Sequence, residues 1–78
     1  MTRTLTVYGR QGCHLCDEAL AELRRLAPEL GFSIREVDIE ADDDLHRRYL
    51  ERIPVIALDG DELFDFFVDE RALRAALA

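Results

Sequence analysis

Leu15, Ala19, Leu23, Leu26 and Leu30 recur at three- and four-residue spacing, with Leu20 and Ala27 widening the stripe. That pattern predicts one long amphipathic helix. Its flanks are what constrain the fold. Before it, Leu5 and Val7 alternate with Thr4, Thr6 and Tyr8, which reads as a short strand ending at Gly9, with Gly9 to Gly12 a loop. After it, Phe32, Ile34, Val37 and Ile39 mark a second strand over Phe32 to Ile39, whose alternation slips around Glu36. Strand, helix and strand in this order imply a parallel pair joined by a right-handed crossover. The helix is expected to end or kink near Ala27, because Pro28 lacks the N–H of the ladder and disfavours helix at the residue before it; Gly31 is its expected terminator.

The second half of the chain adds an antiparallel part. Asp42, Asp43 and Asp44 suit a helix N-terminus, and Leu45, Tyr49 and Leu50 give a short helix ending before Arg52. Val55 to Leu58, Asp59-Gly60 and Asp61 to Phe67 form the pattern of a β-hairpin with a two-residue turn. Asp69 can cap a last helix with Ala72, Leu73, Ala76 and Leu77 on its apolar side. The order βαβαββα predicts an α/β domain with a four-stranded mixed sheet and three helices. A chain of 78 residues has material for one core, so residues 1–78 are expected to form a single domain.

Within that frame the chemistry concentrates in GRQGCHLCDEAL, residues 9–20, which holds both cysteines, Cys13 and Cys16, at the start of the first helix. Two intervening residues allow an internal disulfide within one helical turn. Cys13 stands near the free N–H groups and positive end of the helix, which stabilise a thiolate, and is therefore the candidate nucleophile. Cys16 lies closer to the apolar face and is the candidate resolving thiol. The implied reaction is thiol–disulfide exchange, leaving the domain oxidised. His14, if protonated, adds positive charge beside the thiolates, which Asp17 and Glu18 oppose.

The formal net charge is −7, and it is uneven: residues 1–36 carry five Arg against five acids, residues 37–78 five Arg against twelve. Such a chain is a poor match for nucleic acid or anionic membranes, both of which attract basic patches. With no apolar run of membrane-spanning length and no secretory core in MTRTLTVYG, the expectation is a cytoplasmic, monomeric protein. Thiols there are kept reduced, which favours a catalytic or metal-binding pair over a structural one. Metal is not the first choice, because the second ligand pair of a zinc site is absent and His46 is far along the chain. Two readings stay open beside the enzyme: a metal- or iron–sulfur-bridged dimer through Cys13 and Cys16, and a non-catalytic adaptor whose acidic half docks a partner.

The element order, with C-x-x-C opening the first helix and Pro54 opening the third strand, resembles the thioredoxin fold. More narrowly, CHLCDEAL, RIPVIALDG and ELFDFFVDERALRAAL resemble a small glutaredoxin-like family of the thioredoxin superfamily. The resemblance implies a redox-active disulfide serving cell redox homeostasis. It also implies a cis peptide between Ile53 and Pro54 beside Cys13, where the backbone meets an extended substrate. Arg10 matches the glutaredoxin Lys that pairs with a glutathione carboxylate, so Arg10, Leu15 and Ile53 are the implied substrate contacts, with His14, Ile53 and Pro54 in support. No resident cofactor is implied; the electron donor is left open between glutathione and a reductase, and a disulfide-containing protein or glutathione is the implied substrate. Departures are visible too. Neither C-G-P-C nor C-P-Y-C is present, and where glutaredoxins carry a Gly-Gly pair followed by Asp, this chain has Phe64, Asp65, Phe66 and Phe67, bulky residues where glutathione needs close backbone approach.

Overall fold

The structure, a computed structural model, describes residues 3–78. Strand β1 (Arg3–Gly9) turns Leu5, Val7 and Gly9 inward, as its alternation requires. Helix α1 (His14–Leu30) follows, and its stripe buries Cys16, Ala19, Leu23 and Leu26. Strand β2 (Phe32–Asp38) runs parallel to β1, with Arg3 opposite Phe32 and Gly9 opposite Asp38. Helix α2 (Asp43–Tyr49) starts on the Asp42 cap, whose carboxylate accepts the N–H groups of Asp44 and Leu45. Strands β3 (Val55–Leu58) and β4 (Asp61–Asp65) form the hairpin, and α3 (Glu70–Leu77) closes the fold from its Asp69 cap. The sheet order is β2-β1-β3-β4, mixed as predicted.

Three boundaries differ from expectation, each because a tertiary contact overrides a local rule. Helix α1 runs past Pro28 to Leu30. The bond Pro28 cannot make would go to Arg24, and both residues lie on the solvent side, where water can serve the carbonyl while the buried stripe holds the helix. Gly31 does terminate it, at φ 75°, donating its N–H to Ala27 at 2.8 Å. Strand β2 ends at Asp38: Ile39 begins a 3-10 turn, Ile39–Ala41, that carries its side chain into full burial, and the Asp38 carboxylate accepts the Glu40 N–H. Strand β4 stops at Asp65 because Phe66 turns to φ 67° and gives its N–H to the Pro54 carbonyl at 2.9 Å.

The sheet separates two cores. On the face covered by α1 and α3, Leu5, Val7, Leu23, Leu26, Ile56 and Leu73 pack together. On the α2 face, and reaching round the end of α1, Cys16 packs with Ile39, Tyr49, Ile53 and Val55, with Tyr8 and Cys13 at the margin. Strict alternation along β1 and β3 makes this division: Val7 and Ile56 serve the first core, Tyr8 and Val55 the second. The Asp59-Gly60 turn, at φ 50° and 94°, is fixed to β1 by Arg3 Nε and the Thr4 N–H, both donating to the Asp59 carboxylate at 2.9 and 3.3 Å.

Candidate functional site

The site begins with a capping bond. Cys13 has extended backbone (φ −92°, ψ 107°) and occupies the N-cap of α1, where its Sγ accepts the Cys16 N–H at 3.1 Å. A sulfur thus takes the place usually held by a Ser or Asp oxygen. The cap brings the Cα atoms of Cys13 and Cys16 to 5.2 Å, and the two side chains are joined as a disulfide. Their environments differ: Cys13 is partly exposed, whereas Cys16 is 3% exposed.

Gly9 makes this packing feasible. A Cβ at that position would lie 2.9 Å from Cys16 Sγ, closer than carbon and sulfur tolerate, so the end of β1 must be glycine for the buried cysteine to fit. Its place four residues before Cys13 is the available signal, which strand alternation alone marks only as the end of β1 and the start of a loop.

Ile53 shares the second core with the buried cysteine, and Pro54 follows it in the chain. The Ile53–Pro54 peptide is cis, and the Ile53 side chain packs in the same cluster as Cys16. Among the described residues, no backbone hydrogen bond uses the Ile53 N–H or carbonyl. The segment is held from outside by Arg52, which donates to Glu62 at 2.6 Å and Asp65 at 3.1 Å on β4. Below it, Tyr49 stacks on Tyr8 with ring centroids 4.8 Å apart and donates to Glu62 at 3.4 Å. Burial, and then the Glu62 carboxylate, hold the Tyr49 phenol above its ordinary pKa of 10.0. The sequence holds no sign of this Arg52–Glu62–Tyr49 brace, because Glu62 lies ten and thirteen residues beyond its two partners.

The other expected contacts fall on two sides of α1. Arg10 lines a cavity of about 290 Å³ between β1, β2 and α1 that reaches Cys16 and is edged by Asp17, Glu36 and Asp38. Its guanidinium is 3.5 Å from Glu40. Leu15 instead lines a groove of about 180 Å³ with Phe66, Phe67 and Val68. Arg10 and Leu15 therefore do not converge on one pocket. His14 is exposed, with its Nε2 3.1 Å from Glu18. The described residues contain no cluster of three or more His, Cys, Asp or Glu side chains able to hold a metal. No helix among them is long and apolar enough to cross a membrane.

Comparison with known proteins fits this geometry. A family described as Glutaredoxin-like domain (DUF836) matches residues 4–78. The chain belongs to that family. An uncharacterized protein of Mycobacterium tuberculosis is 35% identical to this glutaredoxin-like domain over 74 residues, 88% of this chain and 76% of that protein. A Nitrosomonas europaea protein solved by solution NMR superposes with a TM-score of 0.90 at 38% identity, over 100% of this chain and 94% of that one. A mutant thioredoxin of Halobacterium salinarum, at 21% identity, has a TM-score of 0.66 over 96% of this chain and 71% of its own, which shows the shared thioredoxin fold. The glutaredoxin-like domain is thus a thioredoxin-fold protein with a close cysteine pair at the start of its first helix.

Proposed function

We propose that this glutaredoxin-like domain is a thiol–disulfide oxidoreductase in which Cys13 is the nucleophile and Cys16 the resolving thiol. The supporting observation is the asymmetry of the pair: Cys13 is partly exposed at the helix cap, and Cys16 is buried one turn in. In the reduced protein, the N–H that donates to Cys13 Sγ also favours its thiolate. That thiolate attacks one sulfur of a substrate disulfide, the substrate S–S bond breaks, and one substrate thiolate leaves. Cys16 then gives its proton to solvent and attacks Cys13 Sγ in the mixed disulfide, and the second substrate thiolate departs. Two electrons have passed to the substrate and the pair is left as the Cys13–Cys16 disulfide, which an external dithiol, or two molecules of a monothiol such as glutathione, reduces back to the two thiols while itself becoming a disulfide.

The supporting roles follow from position. The free Ile53 main chain offers hydrogen bonds to an extended substrate, Pro54 keeps that segment against the pair, and His14 and Arg10 shape the charge around it. Turnover of a small synthetic disulfide tests the assignment. Cys13→Ser is expected to abolish it, and Cys16→Ser to trap a mixed disulfide detectable by intact mass; undiminished activity in Cys13→Ser would refute the mechanism.

A further inference from the structure

The groove that contains Leu15 is not explained by the exchange chemistry. Among the described residues, the large apolar side chains left exposed are Leu50 at 36%, Phe66 at 38% and Phe67 at 67%. The last two are consecutive and line that groove with Leu15, which stands between the two cysteines. Phe66 also holds a left-handed backbone (φ 67°), a conformation bulky residues avoid, and Phe67 is turned outward behind it. Two aromatic rings kept in water against Leu15, on the helix turn that carries the cysteine pair, are what a docking surface needs and a core does not.

The polar groups around the groove decide what can dock. The Phe66 N–H is used by the Pro54 carbonyl at 2.9 Å and the Phe67 N–H by the Asp65 carbonyl at 2.8 Å, so neither is free to bind an anion. The rim on α1 is Glu18 and Glu22, one turn apart. These carboxylates are partly offset and still in excess: Glu18 faces His14 at 3.1 Å, and Glu22 shares the single Arg25, at 2.5 Å, with Glu70 at 2.9 Å. An apolar floor under an acidic rim repels the carboxylates of glutathione and complements an apolar side chain with a basic neighbour.

We propose that this groove seats a disulfide-bearing polypeptide, an apolar side chain near its cysteine lying against Leu15, Phe66 and Phe67 and a neighbouring Arg or Lys facing Glu18 and Glu22. Its use in catalysis rests on the oxidoreductase reading; its use in binding does not.

The test has two arms. In the first, a synthetic peptide containing Arg-Leu-Ser, the Ser standing for the reactive cysteine, is titrated into the oxidised protein and followed by NMR. Amide shifts should centre on Leu15, Phe67 and Val68. Phe67→Ser should weaken binding about tenfold, and the charge reversal Glu18→Lys should weaken it similarly while restoring affinity for a peptide with Glu in place of Arg. Shifts centred on Arg10 and Glu36, or unchanged affinity in both variants, would overturn the proposal. In the second arm, the reduced protein is given the corresponding Arg-Leu-Cys peptide as a disulfide, or oxidised glutathione at equal concentration. The peptide should be reduced at least about tenfold faster, and equal rates would overturn the proposal. If neither disulfide is reduced while the Ser peptide still binds at Phe67, the groove assignment stands and the oxidoreductase reading falls.

Discussion

The two cores on either side of the sheet are built by different rules. The first, around Leu5, Leu23 and Leu73, is aliphatic and rests on the periodicity of β1, α1 and α3. The second gathers Cys16, Ile39, Tyr49, Ile53 and Val55 from a helix start, a 3-10 turn, a helix end, a loop and a strand. One core comes from repetition, and the other from five segment boundaries meeting. The cysteine pair belongs to the second, where each residue has a different backbone holding it.

Substitutions can break that contrast. The largest loss is expected for Leu23→Ala, which opens a cavity in the first core at full burial and should cost about 2–5 kcal/mol in urea unfolding. The loss should be the same in the oxidised and reduced protein, because no cysteine belongs to that core. Gly9→Ala places its Cβ against Cys16 Sγ and should cost about 1–3 kcal/mol in the oxidised protein. After reduction the cost should fall, since the freed Cys16 side chain can turn away; an equal loss in both states would show that the clash is not with sulfur.

Ionisation sharpens the comparison further. Tyr49 has its folded pKa above 10.0, so its contribution to stability is fully present below that pH and is lost as pH rises through the folded value. Tyr49→Phe keeps the ring against Tyr8, gives up a bond to Glu62 of about 0.5–1.5 kcal/mol, and should remove this part of the alkaline loss of stability. The smallest effect is at the surface. Its hydrogen bond from Arg3, then the Thr4 N–H, hold Asp59 below its ordinary 3.8, so its contribution is present above that pH and is lost as pH falls through the lower folded value. Asp59→Asn should flatten the acid limb slightly, as read by thermal unfolding across that range.

What the sequence disclosed follows the same division. The α1 stripe, the Asp59-Gly60 turn and the Asp42 and Asp69 caps are local signals and were legible, as was the cysteine pair at a helix start. The ends of β2 and β4 were not. Ile39 continues an alternation yet leaves the strand to fill the second core, and Phe66 looks like strand but turns to reach Pro54. In the candidate site, the cis state of Ile53–Pro54 came from family resemblance alone. The Arg10–Glu40 ion pair and the Arg52 brace join residues whose proximity exists only after folding.

The cap on α1 bears on the proposed exchange. The Cys16 N–H has Cys13 Sγ as its acceptor in the disulfide, and a thiolate accepts the same N–H as well or better. The first turn of the helix therefore keeps its partner in either redox state. In the proposed exchange two sulfur atoms change bonding while the start of α1 keeps its capping bond, so passing between the two redox states calls for no rebuilding of the helix.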